Sequence, residues 1–118
     1  MEYEVIEMKL IQVIEDKKPS LSFEIFPPKN SAAYESIQAT AQSIAQLAPS
    51  YMSVTYGAGG GTSAYTVSIA AGIQNQFRVP VMAHLSCISS TREGVRHQLD
   101  AMRQTGIKNI LALRGDLA

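Results

Sequence analysis

Tyr51-Met52-Ser53-Val54-Thr55-Tyr56-Gly57-Ala58-Gly59-Gly60-Gly61-Thr62 is the stretch that decides the fold. It begins as a β-prone run of aromatic and β-branched residues. It then passes through a glycine-rich turn into a helical pattern over residues 63 to 76, carried by Val67, Ile69, Ala70 and Ile73. Strand, turn and helix in that order make one βα unit, and the unit recurs on both sides. Upstream, residues 21–26 form a short strand stopped by Pro27-Pro28. A helix over residues 32–47 follows, with Ser31 as a candidate cap and Pro49 as its stop. Downstream, Pro80 opens a strand over residues 81–85, and Ser89-Ser90-Thr91 offers N-caps to a helix reaching Gln104. Gly106 ends that helix, and a fourth strand over residues 107–113 stops at Arg114-Gly115-Asp116. In front of all of these, Val5, Met8, Leu10, Ile11, Val13 and Ile14 recur with helical period, closed by Lys17, Lys18 and Pro19.

The order α-βα-βα-βα-β predicts an α/β fold with parallel strands and alternating helices. Glu24, Thr55, His84 and Asp116 fall at or just past the strand ends, 31, 29 and 32 residues apart. A spacing near one βα unit puts all four on the C-terminal rim of the sheet. In barrels and open α/β sheets that rim carries the ligand. A closed (β/α)8 barrel takes about 250 residues, and this chain has 118. Residues 1–118 are therefore expected to form a single partial domain, the N-terminal four-strand portion of a TIM barrel. Its open strand edges favour assembly into a homo-oligomer.

Ten basic and ten acidic side chains give zero net charge, which argues against nucleic acid or an anionic membrane as partner. No run reaches the roughly 18 apolar residues of a membrane span. The acidic start, Met1-Glu2-Tyr3-Glu4, is unlike a secretory n-region, and one cysteine suits a reducing, cytoplasmic setting.

Each polar signal has a bland reading beside the functional one. Glu24 sits among Phe23, Ile25 and Phe26; desolvation there suits a general acid, whereas a structural carboxylate would pair with an Arg. The glycine turn lets a ligand approach the backbone, or is a plain βα turn; it matches neither the dinucleotide fingerprint nor the P-loop. His84 and Cys87 are too few for a metal site, so no metal is expected. His97 reads as solvated and Cys87 as a small hydrophobe. The five methionines read as packing residues. Arg114 and Asp116 flank a glycine and can hold a polar ligand from two sides, or pair with each other.

Four segments resemble the methylenetetrahydrofolate reductase family, in its order and near its spacing. They are Ser22-Phe23-Glu24-Ile25-Phe26-Pro27-Pro28-Lys29, Ser53-Val54-Thr55-Tyr56-Gly57-Ala58-Gly59, His84-Leu85-Ser86-Cys87 and Leu111-Ala112-Leu113-Arg114-Gly115-Asp116. The resemblance runs from about Ser20 onward and covers somewhat less than half of the family's barrel. It implies an FAD enzyme in which NADH or NADPH reduces the flavin. The flavin then reduces 5,10-methylenetetrahydrofolate to 5-methyltetrahydrofolate, in one-carbon and methionine metabolism. By that resemblance Glu24 is the general acid and Asp116 the acidic residue beside flavin and pterin. Thr55, Tyr56, Ala58, His84, Arg114 and Gly115 fall on flavin-contacting positions. The Gly59-Gly60-Gly61 run is richer in glycine than in some relatives. Later strands that clamp FAD and substrate have no counterpart here, so the 118 residues alone are expected to hold FAD weakly and not to turn over. The alternatives are a non-catalytic half-barrel that self-associates or binds a partner, and a Schiff-base lyase. The second needs a strand lysine at the rim, and Lys108 starts its strand at the wrong end.

Overall fold

The computed structural model describes residues 9–16, 19–57 and 63–116. A leading helix, three βα units and a fourth strand appear in the expected order. Helix α1 (Leu10–Asp16) precedes strand β1 (Ser22–Ile25), a 3-10 turn (Ser31–Ala33) and helix α2 (Tyr34–Ala45). Then come β2 (Tyr51–Val54), α3 (Ser63–Phe77), β3 (Val81–Ser86), α4 (Arg92–Gln104) and β4 (Asn109–Leu113). The strands form one parallel sheet in the order β1-β2-β3-β4. Sequential neighbours in one parallel sheet are the arrangement of successive barrel units.

Side chains alternate across a strand, so register fixes which residues share a face. Ile25, Met52, Val54, Val81, Ala83 and Leu85 lie on the covered face and are buried. The helices supply the other half of the core: Ala41 and Ala45 from α2, Val67, Ile69, Ala70 and Ile73 from α3, and Met102 from α4. In α2 the inward positions Tyr34, Ile37, Ala41, Ile44 and Ala45 follow one helical stripe. The small alanines let that helix lie close to α3, where the Tyr34 and Tyr65 rings approach to 5.3 Å between centroids. Burial of this layer is the main stabilising term of the fold.

The opposite face carries Glu24, Ser53, Met82, His84 and Leu111, and no described helix covers it. At its lower end the Asn109 side chain holds two elements. Its Oδ1 accepts from the Leu10 amide of α1 at 2.9 Å, and its Nδ2 donates to the Val81 carbonyl at 3.2 Å. Strand β4 is open on both faces, with Ile110, Leu111 and Leu113 exposed.

Several expected boundaries move. β1 stops at Ile25 rather than Phe26, because the residue before a proline leaves the ladder easily and Phe26 points to solvent. β2 stops at Val54, and β4 starts at Asn109, with Ile107 buried ahead of it. The cap expected at Ser31 is supplied by Asn30, whose Oδ1 accepts from the Ala33 amide at 3.1 Å. Thr91 does cap α4, accepting from the Gly94 amide at 3.0 Å. Gly106 takes a left-handed φ of 85° after α4, as expected. Two non-glycine residues do the same past the other long helices, Ala48 after α2 (φ 54°) and Arg78 after α3 (φ 56°). Val5, Met8, Lys17, Lys18 and the residues from Ala58 to Thr62 lie outside the described set.

Candidate active site at the C-terminal rim

Glu24 is the third of four residues in β1, and its register partner on β2 is Ser53. The Ser53 hydroxyl donates to Glu24 Oε1 at 2.9 Å. His84, two residues beyond Ser53's own partner Met82 on β3, brings Nε2 to 3.4 Å from the same Oε1. The Glu24 side chain therefore reaches across β2 to a residue two strands away. Sharing one face of a parallel sheet makes this possible, and Ser53 stands beneath the bridge.

The carboxylate is not desolvated as its neighbours in the sequence suggested: the Glu24 side chain is 47% exposed and that of His84 13%. Phe23 and Ile25 project to the other face, so their apolar character does not reach the carboxyl group. Nor is its partner an arginine. Both contacts fall on Oε1, which leaves Oε2 as the oxygen open to a ligand or a proton. His84 Nε2 is itself buried and makes no aligned hydrogen bond, the Glu24 approach being an ion-pair distance rather than a hydrogen-bond geometry. A buried ring nitrogen in that state is short of one partner.

The rest of the rim is set by backbone. Past the end of β2, the Thr55 amide donates to the Ile25 carbonyl at 3.0 Å, and the Thr55 carbonyl accepts from the buried Thr66 hydroxyl of α3 at 2.8 Å. Thr55, Tyr56 and Gly57 then line an open cleft with Phe26, Pro27 and Lys29. Two of the four motif segments thus share one wall. Past β3 and β4 the ladder also continues: the Cys87 amide donates to the Leu113 carbonyl at 2.9 Å and the Ile88 amide to the Arg114 carbonyl at 2.8 Å. This brings Arg114, Gly115 and Asp116 alongside the end of β3. Arg114 turns its Nε to the Gly115 carbonyl at 3.3 Å, and no ion pair joins it to Asp116 among the described residues. Asp116 is exposed.

Glu24, Thr55, His84 and Asp116 therefore stand at one end of the sheet. Glu24 and His84 are in contact. Asp116 comes after the far strand, three inter-strand spacings or about 14 Å from β1. Ala58 falls outside the described residues. Sequence reasoning does not single out Ser53 as a site residue. The signal for it is parity: Ser53 lies two residues before Thr55 and so shares its face, level with Glu24. Cys87 is half-buried and unpaired by any disulfide, and no group of three or more His, Cys, Asp or Glu among the described residues could hold a metal ion. No described helix is long and apolar enough to cross a membrane.

Comparison with known proteins bears on this rim. A family model described as methylenetetrahydrofolate reductase matches residues 9–118. "Methylenetetrahydrofolate reductase (NADH) 1" of Arabidopsis thaliana is 38% identical over 108 residues, covering 92% of this chain and 18% of its own length. "5,10-methylenetetrahydrofolate reductase" of Pectobacterium carotovorum is 38% identical over 98 residues, covering 83% of this chain and 33% of its own. The Escherichia coli protein of the same name is 37% identical over the same length, with the same coverage. The chain thus spans 18% to 33% of the length of these relatives.

Proposed function

The chain belongs to the methylenetetrahydrofolate reductase family, and from that premise we propose that it forms the acid-bearing part of an FAD-dependent reductase of 5,10-methylenetetrahydrofolate, driven by NADH or NADPH in the cytoplasm. Four parallel strands alternating with helices are the N-terminal portion of that family's barrel. We take residues 1–118 as one partial domain whose working unit includes the rest of the barrel. The observation that carries the reading is the contact of Glu24 with Ser53 and His84 on the open face of the sheet, at the rim where barrel enzymes work.

The residues fit a flavin. His84 Nε2 is a buried polar atom short of a partner. Gly115 lies just past the end of β4, packed against Ser86 and Ile88 at the end of β3. The cleft formed by Thr55, Tyr56 and Gly57 offers an aromatic ring and main-chain groups to a planar ligand. When bound, FAD supplies the hydride that the nicotinamide nucleotide has delivered. His84, Thr55, Tyr56, Ala58, Arg114 and Gly115 hold and orient it.

The protein's own chemistry is a proton transfer. Reduction of the substrate's methylene bridge requires its five-membered ring to open. One carbon–nitrogen bond breaks, the electron pair goes to nitrogen, and that nitrogen takes a proton. Glu24 Oε2 is the oxygen placed to give it, because Ser53 and His84 occupy Oε1 and fix the rotamer. Ring opening leaves a cationic iminium on the folate, which the resulting Glu24 carboxylate and Asp116 stabilise. Asp116 also disfavours added negative charge on its neighbour, which lowers the reduction potential of a flavin bound there.

In anaerobic rapid-mixing experiments on the full-length reductase, Glu24→Gln should abolish reoxidation by the folate while leaving reduction by NADH within about threefold. Only the reoxidation half-reaction needs the proton. Equal losses in both halves would remove Glu24 from the acid role. A protein that purifies colourless and ignores NADH would instead favour the non-catalytic half-barrel.

A further inference from the structure

Gly115 has a left-handed φ of 91°, and a Cβ built on it would collide with two side-chain atoms. These are Ser86 Oγ, the closer of the two, and Ile88 Cγ2 at 2.9 Å, with Ser86 Cβ behind them at 3.5 Å. The rim turn after β4 is therefore pressed onto the last residue of β3 with no room for a methyl group. The backbone bonds from Cys87 to Leu113 and from Ile88 to Arg114 hold the two segments together just beyond Ser86. Ser86 is buried at this seat. Asp116 is the next residue along the chain from this seat.

We propose that Ser86 is a positioning residue: the size of its side chain sets the height of Gly115, and through it the distance of the Asp116 carboxylate from the flavin. This deepens the reductase reading and rests on it. Serine is the side chain that fills the space under Gly115 without lifting it. A branched residue at 86 would raise the turn and carry Asp116 off its station. Ile88 Cγ2 is the second side-chain atom against the Gly115 turn. In a preorganised charged site, a displacement of about 1 Å costs as much as a hundredfold in rate, so a steric change beneath a glycine becomes an electrostatic change at the cofactor.

The test uses Ser86→Val and the milder Ser86→Cys in the full-length, flavin-loaded reductase. Both should raise the flavin midpoint potential in the direction that Asp116→Asn raises it, with Val moving it further than Cys. Per bound flavin, folate reduction should fall roughly 10- to 100-fold in Ser86→Val, while reduction by NADH changes much less. In Ser86→Val/Asp116→Asn the potential should match that of Asp116→Asn alone, because the carboxylate through which Ser86 acts is gone. Three results overturn the proposal: an unmoved potential in both single variants, equal losses in the two half-reactions, or a double variant whose potential shifts beyond Asp116→Asn. Should Ser86→Val fail to fold, Ser86→Cys decides on the same readouts. A wild-type protein without flavin and inert to NADH would sink both this proposal and the reductase reading.

Discussion

At the scale of single residues, the rim is governed by neighbours across a face rather than by neighbours along the chain. Glu24 looks isolated among apolar residues in the sequence, yet those residues point away and its real company is Ser53 and His84. Local composition could nominate the carboxylate. It could not report its exposure, nor a partner two strands off, because both depend on register. Gly115 is the opposite case: its place in the motif suggested a ligand contact, and the structure adds a packing reason for it. Gly115→Ala should cost about 2–5 kcal/mol, from the left-handed backbone penalty together with overpacking against Ser86. Urea unfolding followed by circular dichroism measures it, and a cost under about 1 kcal/mol would show the seat to be soft. Asp116→Asn, on the exposed side of the same turn, should leave stability within about 0.5 kcal/mol while raising the potential of bound flavin, as read by equilibration with a redox dye.

At the scale of elements, order and type were legible and edges were not. Four strands and their helices could be read from alternating β-prone runs, glycine or proline breaks and helical stripes. Strand ends shifted by one or two residues because aromatic residues such as Phe26 and Tyr56 score as β-prone even where the ladder has ended. The cap at Asn30 was missed because a 3-10 turn lies between it and α2. The left-handed residues past α2 and α3 gave no sequence signal, since alanine and arginine rarely occupy that region. Ala48→Gly should therefore stabilise the protein by about 1 kcal/mol, as the left-handed penalty at that helix end disappears. Thermal unfolding checks this, and a lower melting temperature would mean that glycine's extra freedom in the unfolded chain outweighs the relief.

At the scale of the whole molecule, β4 decides behaviour in solution. It is an outer strand open on both faces, with Ile110, Leu111 and Leu113 exposed. Such an edge templates further pairing. The 118-residue chain should therefore sediment as an oligomer, and Leu111→Lys/Leu113→Lys should shift it towards monomer. A single sharp monomer boundary for the unaltered chain would show that the edge is protected. The Glu24, Ser53 and His84 cluster has a different dependence. Its three members come from β1, β2 and β3 in direct succession. A ribosome that has released the chain as far as Ser86 has already delivered every atom of the cluster. Protein engineers could accordingly transplant those three strands with their two intervening helices as one cassette, or reopen the chain between β3 and β4, and keep the proton donor intact.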